Sequence, residues 1–136
     1  MITEKTIKRL KNKVLIDLLF NKGKTVSSGV LVVHYLKDLR EIDSLFIGVG
    51  VSKRNVFLAV NRSVIKRQLR AAIRINQVYI EENMFAGLYM VLFKSKKKLN
   101  SSEINSYLLK AFEKISATPL NTLHSVESRL LNKLHL

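Results

Sequence analysis

Cysteine and tryptophan are both missing from this chain of 136 residues, and proline occurs once. Without cysteine there is no disulfide, no thiolate zinc site and no cysteine nucleophile. Acids are scarce too: 10 Asp and Glu stand against 24 Lys and Arg, a formal net charge of +14. The acids are scattered, and the one adjacent pair, Glu81–Glu82, reads as part of a polar turn. His34 lies far along the chain from His124 and His135. A protein that hydrolyses phosphodiesters by itself wants clustered carboxylates for two metals, or a histidine pair for acid–base work. No catalytic residue and no metal site is therefore assigned. No run approaches the roughly 18–20 apolar residues of a membrane helix. The opening segment MITEKTIKRLKNK carries no apolar signal-peptide core behind its charges. The expectation is one reduced, cytoplasmic domain spanning 1–136.

What the chain does have is apolar content and positive charge. Apolar residues make up 47%, enough to pack a core and too much for a disordered basic tail. The charge points to a polyanionic partner. Its distribution says more than its total. No acid occurs between Asp43 and Glu81, whereas that window holds Lys53, Arg54, Arg62, Lys66, Arg67, Arg70 and Arg74. A solvated face usually mixes signs.

Hydrophobic periodicity predicts a helix from about Lys5 to Phe20, with Ile7, Leu10, Val14 and Leu18 on one stripe and Gly23 ending it. Strands are predicted at Gly29–Leu36 and Ser44–Val51, the second with glycines at 48 and 50 that mark a bulge or a close backbone approach. A helix follows over Val60–Gln77, capped by Asn61 or Ser63. Gly87–Lys94 reads as a strand, KSKKKLN as a charged turn, and SSEINSYLLKAFEKI as a helix with Ile104, Leu108, Phe112 and Ile115 on one face. Beyond Thr118–Pro119, Leu123, Val126, Leu130 and Leu134 recur at helical spacing, so 117–136 reads as an amphipathic tail. This order implies an α+β sandwich in two layers.

On the Val60–Gln77 helix, Arg62, Lys66, Arg70, Arg74 and Arg67 fall at about 0, 40, 80, 120 and 140°, within less than half of the cylinder. Val64, Ile65, Leu69 and Ala72 occupy the other side and are free to pack, with Ile73 intruding. Five neighbouring cations repel by a few tenths of a kcal/mol per pair, on the order of values measured on helices. A phosphate backbone relieves that repulsion, and the planar fork of arginine suits it. By pattern alone, a solvated helix face and a DNA-reading helix both stay open, although no partner helix precedes at helix-turn-helix spacing.

The segment VSKR…AVNRSVIKRQLRAAIR (Val51–Arg74) resembles the signature of the bacterial ribonuclease P protein component. That pattern runs V-S-K-K, a short loop, then A-V-x-R-N-x-x-K-R-x-x-R. Val51, Ser52, Lys53 and Arg54 match its entry, and Ala59, Val60, Arg62, Lys66, Arg67 and Arg70 match its helix in register. Ser63 stands where the pattern has asparagine, Val64 where a second arginine is frequent, and Asn55–Leu58 lacks the usual loop glycine. The segments Ile7–Lys24, Gly29–Leu36 and INSYLLKAFEKI resemble the family's first helix, first strand and last helix, so the likeness covers about 7–116.

The resemblance implies a small mixed sheet with helices packed on it, in the order α-β-β-(β)-α-β-α. Its β-α-β crossover would be left-handed, like the second-domain fold of the fifth small-subunit ribosomal protein. It also implies a subunit of ribonuclease P, which removes the 5′ leader of precursor tRNA by hydrolysing one phosphodiester bond. The catalyst would be an RNA subunit with bound Mg²⁺, no cofactor being held by the protein alone. The partners would be that RNA and precursor tRNA, with neither DNA nor a membrane. Carried over by position, Lys53, Arg54, Arg62, Ser63, Lys66, Arg67, Arg70 and Arg74 would contact the RNA subunit, and Ile16, Phe20 and Tyr35 would line the leader cleft. A ribosomal or other RNA-packing protein is the alternative that shares charge, size and class.

Overall fold

The computed structural model describes residues 6–37 and 42–116. The tail 117–136 lies outside the described residues. In chain order the elements are β1 (Ile7–Arg9), α1 (Lys13–Lys22), β2 (Lys24–Ser28), β3 (Leu31–Lys37), β4 (Leu45–Val51), α2 (Ala59–Ile75), α3 (Gln77–Asn83), β5 (Gly87–Phe93) and α4 (101–116).

Five strands form one mixed sheet in the order β1-β4-β5-β3-β2. β4 runs parallel to both β1 and β5, whereas β3 is antiparallel to β5 and to β2. The parallel β4–β5 pair requires a long crossover, which α2 and α3 supply. β5 is central, and its GLYMVLF run is buried almost throughout, as a strand covered on both faces must be.

Side-chain alternation along the strands sorts the core into two clusters. Leu31, Val33 and Tyr35 of β3 join Tyr89, Val91 and Phe93 of β5 on one face, under Ile65 and Leu69 of α2, Ile80 of α3, and Ile104, Leu108 and Phe112 of α4. On the other face Leu88 and Met90 meet Leu10 and Leu19, with Leu15 and Ile16 of α1 packed against them. The sheet thus carries three helices on one side and α1 on the other.

The helix expected from Lys5 begins later. Asn12 caps it, its Oδ1 accepting from Val14 N at 2.9 Å and Leu15 N at 3.2 Å, which satisfies two free amides of the first turn. Upstream of that cap the chain is extended. Ile7 pairs with Leu45, and Leu10 N donates to Ile47 O at 3.1 Å. The stripe Ile7–Leu10–Val14–Leu18 is therefore no helix face: Val14 is 74% exposed, and Leu15, Ile16 and Leu19 carry the packing. Gly23 does end the helix, yet its φ is −78°. Glycine is needed there for room, because a Cβ would press on the carbonyls of Leu19 and Tyr35.

Gly29 belongs to a turn rather than to a strand. It takes φ 57° in the two-residue link between β2 and β3, where left-handed backbone suits the strand twist. Gly48 sits in regular pairing with Met90, without a bulge, and a Cβ there would crowd the Met90 methyl and the Leu10 carbonyl. The long helix breaks at Asn76, whose Nδ2 donates to Ala72 O at 2.9 Å and Asn105 Oδ1 at 2.6 Å. Glu81 and Glu82 consequently lie in α3, not in a turn. α4 opens with a reciprocal cap: Glu103 N donates to Asn100 Oδ1 at 2.8 Å and Asn100 N to Glu103 Oε1 at 3.2 Å.

The register of α1 has a direct test in denaturant unfolding. Leu19→Ala, at a fully buried site, is expected to cost about 2–5 kcal/mol. Val14→Ala is expected to change stability by less than about 0.5 kcal/mol. Equal losses would restore the Ile7–Leu18 stripe.

Candidate nucleic-acid interface

The α2 helix buries Ile65, Leu69, Ala72 and Ile73 and turns its charged side outward. Val64 is only half-buried, so Ile73 takes the packing place that the helical wheel gave it. Neither Asn61 nor Ser63 caps the helix. Leu58 is the N-cap residue, and no side chain accepts from the first turn. A different group organises this end: the Arg62 guanidinium donates through Nη1 to Val56 O at 3.0 Å and Phe57 O at 2.7 Å. The preceding turn is held by Ser52, whose Oγ accepts from Arg54 N at 3.0 Å and Asn55 N at 3.3 Å. Val56 is buried in the main core. The loop is thus fastened at three points, with Lys53 and Arg54 exposed on it.

Ser63, Lys66, Arg67, Arg70 and Arg74 line one concavity of about 350 Å³, with no acid among its described lining residues. Five of the eight sequence-assigned positions are thereby brought together. Lys53 and Arg54 lie in the loop before the helix, and Arg62 is turned back to the carbonyls of that loop. The concavity offers guanidinium and ammonium donors, so its chemistry is anion binding, with arginine suited to bidentate phosphate contacts.

The strip is wider than the sequence motif. A second cleft of about 410 Å³ adjoins it, lined by Lys8, Arg9 and Lys11 from the β1 segment and by Arg70 and Arg74. Its lining includes Ile47, Val49 and Ile73, and again no acid among the described residues contributes. Burial, with the Arg9 cation next, pushes the Arg70 pKa down, a like-charge pairing that a bound anion would relieve. Lys8, Arg9 and Lys11 escaped notice because a helix starting at Lys5 separates them from Arg70. The parallel pairing of β1 with β4 is what carries them there, and no local signal foretells it. Near the other end of α2, Lys96, Lys97 and Lys98 share a small hollow with Val56, Asn61 and Ile65.

The three residues assigned to a leader cleft are not brought together. Ile16 and Phe20 lie on α1, over the second face of the sheet. Tyr35 is buried in the main core on the opposite face of β3, where burial pushes its pKa up. The period of two along a strand decides this, since adjacent residues point to opposite faces. The neighbour that does meet Phe20 is His34, with ring centroids 4.7 Å apart in an edge-to-face contact of 77°. Phe20 remains 43% exposed.

Among the described residues no group of three or more His, Asp or Glu is placed to hold a metal ion. None of their helices is long and apolar enough to cross a membrane.

His34 has its pKa lowered from 6.5, by burial first and by the Lys94 cation second. The unfolded chain then takes up the proton more readily, so stability falls as pH drops through and below about 6.5. Thermal unfolding between about pH 7 and pH 5.5 is expected to show this loss, with a shallower slope for His34→Gln. An unchanged slope would contradict the assignment.

Comparison with known proteins bears on the family and the fold. The family model described as Ribonuclease P matches residues 5–116. The ribonuclease P protein component of Xylella fastidiosa is 32% identical over 102 residues, covering 74% of this chain and 70% of that protein. The component of Clostridium novyi is 29% identical over 90 residues, covering 66% and 78%. The RNase P protein of Staphylococcus aureus superposes with a TM-score of 0.67 at 24% identity, covering 79% of this chain and 94% of that one. For the RNase P protein of Thermotoga maritima the TM-score is 0.66 at 21% identity, covering 79% and 96%. At such identities the structures speak for the fold alone, whereas the family match spans most of the chain. With an acid-free cationic helix on this fold, the chain belongs to the ribonuclease P protein family.

Proposed function

We propose that this chain is the protein subunit of a ribonuclease P holoenzyme, binding its catalytic RNA and the 5′ leader of precursor tRNA. The observation that carries the reading is the concavity of Ser63, Lys66, Arg67, Arg70 and Arg74, with no acid among its described lining residues, on a helix whose other face is buried. Neutralising phosphates along it releases condensed counterions and lets RNA strands approach that otherwise repel. Lys8, Arg9 and Lys11 widen the footprint beyond a single helix.

The reaction is hydrolysis of one phosphodiester bond. Mg²⁺ supplies charge stabilisation and an activated water in such chemistry. The described residues do not fit it, since they offer no cluster of ligands, and the reading leaves it to the RNA. The chain's own part is to bind and to orient. Phe20, with Ile16 beside it and His34 at its edge, gives α1 an aromatic surface against which an unpaired leader base can stack. A grip on the leader favours precursor over mature tRNA, because only the precursor has a leader. Tyr35 takes no part.

Reconstitution tests the reading. Purified protein, a bacterial ribonuclease P RNA and 5′-labelled precursor tRNA are mixed at low Mg²⁺, where the RNA alone is slow. Faster release of an intact leader is expected, reduced at least tenfold by Arg67→Ala with Arg74→Ala, on the order of two lost phosphate contacts. These two are cleaner probes than Arg62, whose loss also frees the loop. Phe20→Ala is expected to weaken precursor binding and leave mature tRNA binding unchanged. Tight general RNA binding without acceleration would move the chain to an RNA-packing role.

A further inference from the structure

A run of large apolar side chains stands in solvent at the start of α2, in the basic field. Phe57 is 84% exposed, Leu58 56% and Val60 74%, and all three lie at the junction of the β4–α2 loop with α2. Single exposed apolar residues are ordinary, whereas a contiguous group marks contact with something else. This group is also held in place. The Phe57 carbonyl accepts from the Arg62 guanidinium at 2.7 Å, the preceding Val56 is buried in the core, and the Ser52 turn closes the loop. An aromatic ring kept outside by a fastened backbone is not a packing accident of a loose loop.

Its surroundings identify what covers it. Lys53 and Arg54 lie on the same loop, Arg62 lies beneath it, and Lys96–Lys98 flank the hollow beside Val56 and Asn61. No acid occurs between Asp43 and Glu81. A partner must therefore offer negative charge and a flat apolar face at once. Unpaired nucleotides do both: the phosphates meet the cations, and any base has a π-face for the aromatic. Duplex RNA offers the phosphates but keeps its bases stacked inside.

We propose that Phe57, backed by Leu58 and Val60, is a stacking platform for an unpaired RNA base, with Arg62 as the residue that positions it. This rests on the RNA-binding reading above and adds a base contact to a surface otherwise made of phosphate contacts. It lies on the loop before α2, apart from Phe20 on α1. Arg62 accordingly serves less as a phosphate ligand than as the clamp that fixes the displayed ring.

The chain has no tryptophan, so Phe57→Trp installs a single fluorophore at the platform. Its emission is expected to be that of a hydrated indole in the free full-length protein. It should be strongly quenched by a short single-stranded oligoadenylate and little changed by heparin, which carries charge without bases. Phe57→Ala is expected to bind oligoadenylate roughly five- to a hundredfold more weakly, the range of one lost stack. The same variant should keep its heparin affinity and melting temperature.

Several outcomes overturn the proposal. Equal quenching by heparin or by blunt duplex RNA would make the contact one of charge alone. An indole already shielded in the free protein would mean that the chain covers the patch itself. A blue shift on phosphatidylglycerol vesicles without a response to oligoadenylate would assign it to membranes. Tight RNA binding by the wild type, undiminished in Phe57→Ala, would sink the platform and leave the RNA-binding reading standing. Failure of the wild type to bind any RNA would sink both.

Discussion

The α2 helix has to do two opposed things, and the fold follows from how it reconciles them. One side buries Ile65, Leu69, Ala72 and Ile73, each contributing about 1–3 kcal/mol, with alanine lowest. The other side crowds Lys66, Arg67, Arg70 and Arg74 into one acid-free concavity, at a cost of a few tenths of a kcal/mol per like-charged pair, on the order of exposed helix pairs. Burial wins by several kcal/mol, so the helix keeps its place although its charges gain nothing from being together. The repulsion is left as a standing preference for an anion. A core of ordinary apolar contacts thereby holds a surface that no acid among the described residues neutralises.

The sheet spreads that surface. Because β1 runs parallel to β4, Lys8, Arg9 and Lys11 come to the flank of Arg70 and Arg74, and the cationic area becomes a two-element wall. Arg62 ties the loop before α2 to the helix itself. On the far side of the sheet, α1 presents Phe20 against His34. The helix that carries the cationic strip and the α1 aromatic surface thus stand on different faces of one five-stranded layer. In the proposed function, where the chain grips two RNA segments at once, this sheet with its buried central strand β5 is the spacer between them.

Much of this was legible in the residues. The β-branched runs around Val32, Ile47 and Val91 marked their strands, and helical spacing marked Ile65, Leu69 and Ala72 of the packed face of α2, where Ile73 stands in place of the expected Val64. The one-signed charge run gave the strip. What misled was local pattern overruled by a cap or by pairing. Asn12 cuts off a stripe that starts at Ile7, because its side chain satisfies the amides of a helix that begins at Lys13. The β1 strand is three residues long and has meaning only through its partner β4. β2 carries a single inward apolar residue, Val26, too little for a periodic signal. His34 rather than Tyr35 meets Phe20 because one residue along a strand is a change of face. Arg62 could not be read as a clamp, since its acceptors are backbone carbonyls that carry no sequence mark.

Binding by phosphate neutralisation along the α2 strip, as proposed, has its signature in the salt dependence of RNA affinity. The affinity of the wild-type protein for a ribonuclease P RNA, measured over a range of monovalent salt, should fall linearly on logarithmic axes. Each phosphate contact contributes about 0.7–0.9 to that slope. Removing Arg67 and Arg74 together should flatten it by about 1.4–1.8 while weakening binding to all RNA sequences alike. An unchanged slope, with affinity lost only for particular sequences, would contradict the account.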